Sequence, residues 1–242
     1  MKSQRIILVF LALALAGCAA FQPTEEPIPS QWYRFDQPSD TLVVFLRGAG
    51  GGEGQFDRAG VMDVLEESGL GWHAVTVDAH LGYYRQETVV DRINEDILTP
   101  ARDMGYRHFW LSGPSLGGFG SLFFWCRSPH DDIAGLIALA PHLGGRAIIN
   151  EIRAAGGAAN WTPDGAGEEH EVDLWQCLQQ TPEVPIWLAW GRDDRMAPAN
   201  ELLAELLPED RVIVTDGGHR WSTWTPLWVE IFARIAAHRD AD

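Results

Sequence analysis

Short apolar runs separated by longer amphipathic stretches dominate this chain, and the alternation leaves few architectures open to it. The runs at 41–46, 73–77, 108–111, 133–139, 185–190 and 211–214 are rich in Val, Ile, Leu and aromatic residues, the composition of strands covered on both faces. Between them, 56–68, 87–104, 116–127, 198–206 and 223–238 carry apolar positions at helical spacing, such as Val89, Ile93, Ile97 and Leu98. Gly69, Gly71 and Gly105 stand where helices should stop. Strand and helix in turn predict an α/β fold, a mostly parallel sheet of about six strands flanked by helices. At 242 residues and 46% hydrophobic, the chain supports one domain with one sizeable core.

The first eighteen residues read as an address. Lys2 and Arg5 precede an apolar run at 6–16 and then Gly17-Cys18, the layout of a secretory signal peptide, and eleven residues are too few to span a bilayer. Leu15-Ala16-Gly17-Cys18 resembles the bacterial lipobox, which implies a signal peptide of residues 1–17 and a diacylated Cys18 as the mature N-terminus. That resemblance places the protein in a bacterial cell envelope, bound to membrane through lipidated Cys18. Ala19 after the cysteine favours the outer membrane, facing the periplasm, if the cell is Gram-negative. Residues 18–31, with three prolines and paired Glu25-Glu26, read as a flexible tether, and the folded domain is expected over 32–242.

Charge narrows the partners. Removing residues 1–17 takes away two cations and no acid, so the formal charge moves from −16 to −18. Lys2 is the only lysine and the arginines are scattered, so no cluster exists to hold a phosphate backbone and no nucleic-acid partner is expected. Cys126 and Cys177 are the remaining cysteines. An oxidising compartment permits them to pair; Cys126, inside an apolar run, reads equally as a small buried hydrophobe.

The chemistry concentrates in three loops. Gly113-Pro114-Ser115-Leu116-Gly117 satisfies G-x-S-x-G between a predicted strand and a predicted helix, the context in which a serine is held on a sharp, strained turn. Gly113 and Gly117 have a steric reason to be there, because side chains beside such a turn strike neighbouring elements. The helix opening at Leu116 aims its positive end at a developing oxyanion, with the Leu116 N–H as first donor. After the strand at 185–190 comes Gly191-Arg192-Asp193-Asp194, and after the strand ending at 214 comes Asp216-Gly217-Gly218-His219. Seven further histidines show no metal-ligand spacing, so neither metal nor cofactor is expected.

The order Ser, Asp, His on successive loops resembles the α/β-hydrolase superfamily, over essentially the whole mature domain. The resemblance implies Ser115 as nucleophile, His219 as base and Asp194 as the orienting acid, three residues after Gly191, with Asp193 as the alternative. It also implies a second oxyanion donor after the first strand, where relatives carry His-Gly and this chain carries Arg47-Gly48. Matching positions point to the N–H of Ala49, then Gly50. The implied activity is carboxylic-ester hydrolysis through an acyl-enzyme on a small-molecule or acyl substrate. Thioesterase, lipase, polyester depolymerase and peptidase chemistry use the same groups, and a catalytically silent envelope binding module is the alternative of another class.

One segment departs from the alternation. Residues 143–180 are rich in glycine and acids and carry Trp161 and Trp175. They read as a small, partly mobile lid-like insert over the site, or else a surface excursion. His80, Tyr83, Tyr84 and His142 follow predicted strand ends and read either as substrate contacts or as ordinary loop packing and hydrogen bonding; Trp161 and Trp175 are the candidate contacts of the insert.

Overall fold

The computed structural model describes residues 22–52, 54–180 and 183–239. The signal-like run and Cys18 lie outside these residues.

All six expected strands form, within a residue or a few of the expected ends, and a seventh joins them. The strands are β1 (Ser30–Tyr33), β2 (Thr41–Leu46), β3 (His73–Val77), β4 (His108–Pro114), β5 (Ile133–Leu139), β6 (Ile186–Gly191) and β7 (Val212–Thr215). They form one open sheet in the order β1-β3-β2-β4-β5-β6-β7. Only β1 is antiparallel, pairing Ser30 with Val77 and Tyr33 with Ala74. The interior strand β2 is buried at every position, as helices on both faces require.

The helices are α1 (Gln55–Arg58), α2 (Val61–Glu67), α3 (Leu81–Arg85), α4 (Val89–Arg92), α5 (Thr99–Asp103), α6 (Leu116–Arg127), α7 (Arg146–Ala154), α8 (Glu169–Leu178), α9 (Ala197–Ala204) and α10 (Trp221–Arg239). Two expected helices are interrupted. The stretch 56–68 divides where Gly60 adopts φ 72°, a left-handed conformation that ends α1. The stretch 87–104 passes through a π-helical turn, Ile93–Leu98, before Pro100, which has no N–H to give and would crowd the carbonyl four residues back in an α-helix.

The insert after β5 is folded and internally packed. Trp175 is fully buried, and its indole N–H donates to the Leu143 carbonyl at 2.7 Å. Trp161 is buried too and donates to Glu151 at 2.7 Å, while Glu151 also accepts the backbone N–H groups of Asp164 and Ala166. The bond from Trp161, with these amides, holds the Glu151 carboxyl below the usual glutamate range. The acids that marked the segment prove to be helix chemistry: Glu168 and Glu171 form a reciprocal capping box at the start of α8. Cys126 and Cys177 are joined in a disulfide that fastens α8 to α6.

The expectation of a tether to residue 31 is corrected here. From Gln22 the chain lies along the domain. The Glu25 N–H donates to the Tyr83 hydroxyl at 2.8 Å, the Ile28 N–H to Asp96 at 2.8 Å, and the Asp78 N–H to the Pro29 carbonyl at 2.9 Å. Ile28 is a member of the hydrophobic core.

Candidate active site

Every parallel strand of the sheet runs the same way, so the loops after β2, β4, β6 and β7 emerge at one edge. Ser115 sits where β4 passes into α6, with φ 56° and ψ −114°. A serine in that region is strained and persists because its surroundings fix it. Its N–H donates to the Leu139 carbonyl at 2.8 Å, and its carbonyl accepts the Phe119 and His142 N–H groups at 3.0 and 3.2 Å. The two glycines of the motif allow the turn. A Cβ on Gly117 would lie 1.9 Å from the Leu46 carbonyl oxygen, and one on Gly113 would lie 2.7 Å from the Gly117 backbone. Leu116, first residue of α6, presents its N–H at the helix start.

The acid and the imidazole meet. His219 Nδ1 is 2.9 Å from both carboxylate oxygens of Asp194, whose side chain has no exposed surface. Asp194 Oδ1 also accepts the Met196 N–H at 2.8 Å, which fixes the carboxylate plane. The two loops are stitched together by the backbone: the Arg192 N–H donates to the Thr215 carbonyl at 2.7 Å and the Asp193 N–H to the Gly217 carbonyl at 2.9 Å. Asp193 itself is exposed, so of the adjacent acids Asp194 is the one that meets His219. Trp224 stands edge-on to the imidazole with ring centroids 4.8 Å apart, a contact that sequence reasoning missed.

The glycine loop after β2 abuts the serine turn, since a Cβ on Gly48 would lie 3.4 Å from the Pro114 carbonyl oxygen and 3.9 Å from Ser115 Cβ. Ala49 and Gly50 are exposed beside it. Arg47 holds this loop in shape. Its buried guanidinium pairs with Asp78 and donates to the Gly51 carbonyl, with a longer contact of 3.4 Å to the Gly48 carbonyl. Replacing the expected His-Gly by Arg-Gly thus substitutes a charged brace, and the departure from the pattern was its only sequence signal.

Of the two readings for the candidate substrate contacts, packing and hydrogen bonding fits His80, Tyr83 and Tyr84, and the contacts assigned to Trp161 and Trp175 are corrected. His80 is buried as the N-cap of α3, accepting the Gly82 N–H at 3.0 Å, with its other nitrogen 3.2 Å from the Pro23 carbonyl. Tyr83 is fully buried, bonded to Glu25. The Tyr84 hydroxyl is buried among the described residues without a partner; a Cβ on Gly120 would stand 2.0 Å from it, and desolvation pushes its pKa up. Trp161 and Trp175 are interior for the reasons given above. His142 remains exposed beside the Ser115 turn. The protein around its ring nonetheless lowers its pKa by desolvation, opposed by Glu171.

No family model and no curated protein sequence matches the chain. Solved structures do match. Est1E from Butyrivibrio proteoclasticus superposes with a TM-score of 0.61 at 16% identity, over 88% of this chain and 93% of that one. MGS-MChE2, an alpha/beta hydrolase enzyme from lagoon-sediment metagenome, gives 0.57 at 20% identity, over 91% and 98%. A monoacylglycerol lipase from Paleococcus ferrophilus gives 0.56 at 16%, over 85% and 98%. The fold is that of the α/β hydrolases.

Proposed function

We propose that the protein is a serine hydrolase acting on carboxylic esters, with Ser115 as nucleophile, His219 as general base and Asp194 as the acid that orients it. The observation that carries this reading is the bond of the buried Asp194 carboxylate to His219 Nδ1, on the edge where Ser115 is held in a strained turn. That bond keeps the proton on Nδ1 and leaves Nε2 as an acceptor for the Ser115 proton. Ser115 Oγ attacks the ester carbonyl. The oxyanion is held by the N–H groups of Leu116 and Ala49, and His219 returns the proton to the departing alcohol. Water then repeats the sequence and frees the acid.

Solved structures of this fold include enzymes named for ester substrates, the monoacylglycerol lipase above and a ferulic acid esterase matched over 83% of its own chain at 16% identity with a TM-score of 0.56, and this supports ester over amide chemistry. By its lipobox-like sequence the protein is read as a lipoprotein of the bacterial envelope, anchored through Cys18. A screen of esters of increasing acyl length, thioesters and amides, with Ser115→Ala as control, tests the activity. Ester turnover that vanishes in the control is expected; turnover retained by Ser115→Ala rules the assignment out.

A further inference from the structure

Residues 22–24 are bound at the edge of the domain that holds Ser115. Because β1 runs antiparallel to β3, its first residue, Ser30, lies beside Val77 at the carboxyl end of β3. The chain before it stays at that edge. Gln22 Nε2 donates to Asp78 at 3.3 Å, the Pro23 carbonyl meets His80 at 3.2 Å, and Thr24 Oγ1 donates to Gln86 at 2.8 Å. The Gln22 carbonyl oxygen would stand 3.0 Å from a Cβ on Gly82. These partners all follow β3. Asp78 pairs in turn with Arg47, the brace of the glycine loop beside Ser115.

We infer that this docking turns the catalytic edge toward the membrane, so that the enzyme takes its ester from a molecule embedded in the bilayer rather than from solution. The inference rests on the hydrolase reading and on lipidation of Cys18. Three residues separate Cys18 from Gln22, and the four steps between them span at most about 14 Å. A domain of this size is roughly 45 Å across, so the edge holding Gln22 has to stay near the lipid surface. Ser115 leaves that same edge two strands away, at β4 in the order β3-β2-β4, a lateral offset of roughly 10 Å.

Charge at this edge is mixed. In a strongly acidic chain, Arg195 and Arg220 stand exposed on the loops after β6 and β7, and Arg146 at the start of α7 after β5. Anionic headgroups attract such cations at short range. The exposed acids on this edge include Glu25, Glu26, Glu87, Asp193 and Asp216; Glu26 is partly offset by Arg92 and Asp216 by Arg192, each at 3.5 Å.

The test uses the full-length lipidated protein in phosphatidylethanolamine–phosphatidylglycerol vesicles, with and without twenty Gly-Ser residues inserted between Ala20 and Phe21. The insertion lies before the docked segment and its contour exceeds the width of the domain. With 4-methylumbelliferyl palmitate in the vesicles, the native protein is expected to work at least tenfold faster than the spacer variant. Both should hydrolyse water-soluble p-nitrophenyl acetate at the same rate. Hydrogen exchange of residues 79–86 and 142–146 is expected to be slower in the native protein on vesicles than in the spacer variant. Equal rates on the palmitate ester with equal exchange, or absence of palmitate label on Cys18, overturns the inference while acetate turnover keeps the hydrolase reading standing. Loss of acetate turnover in both forms overturns both.

Discussion

Asp194→Asn isolates the group on which the proposed chemistry turns. Asp194 Oδ1 accepts the Met196 N–H as well as facing His219. An asparagine amide has one acceptor, so it keeps its oxygen on Met196 N and turns its NH2 toward the imidazole. His219 Nδ1 must then accept, which moves the ring proton to Nε2 and leaves no lone pair to receive the Ser115 proton. The substitution is nearly isosteric, so the fold should survive it. Loss of the correct tautomer in an acyl-transfer site costs about 10⁴ in kcat, equivalent to about 5.5 kcal/mol of barrier. Asp193→Asn, on an exposed side chain, should stay within about threefold of the parent. Steady-state kinetics on a short ester, with circular dichroism to verify folding, reads both variants. A folded Asp194→Asn enzyme within tenfold of the parent, or an equal loss at Asp193, would refute the reasoning.

Three further outcomes follow from the packing. Arg47→Gln leaves Asp78 without its buried partner and frees the loop at Gly48 and Gly51. It should cost about 3–5 kcal/mol of stability and lower kcat more than it raises KM, measured by urea unfolding and kinetics. Trp175→Ala opens a hole in a fully buried site and should cost about 3–5 kcal/mol, while leaving the preference for acyl length as in the parent. The Cys126–Cys177 bridge closes a loop with a sequence separation of 51, for which chain entropy gives an upper limit of about 4 kcal/mol. The double Cys→Ser variant should lose about 2–4 kcal/mol, seen as a lower urea midpoint.

The strands buried on both faces were legible because their signal is local: β2, β3 and β5 coincide with the expected runs at 41–46, 73–77 and 133–139. β1 was not, since Ser-Gln-Trp-Tyr is a partly exposed edge strand without an apolar run, and its pairing with β3 supplies what composition lacks. The same holds for the segment before it. Prolines and glutamates suggest a free tether, but the Glu25 and Ile28 N–H groups find Tyr83 and Asp96, 58 and 68 residues away. In the candidate site, Asp194 and His219, which the structure brings together, stand after strands in the sequence, as does Ser115 on its strained turn. Arg47 could be noticed as a departure, but its ties to Asp78 and Gly51 depend on how β2 and β3 lie side by side. Trp161 and Trp175 were misread because a large aromatic in a glycine-rich stretch looks the same in sequence whether it faces substrate or the interior.

The central claim, that Ser115 is an activated nucleophile, is tested most directly by labelling the folded protein with a fluorophosphonate and locating the adduct by tandem mass spectrometry. The account predicts one adduct per chain, on Ser115, lost in Ser115→Ala and slowed by orders of magnitude in His219→Ala. A folded protein that takes up no label, or takes it up on another residue, would contradict it.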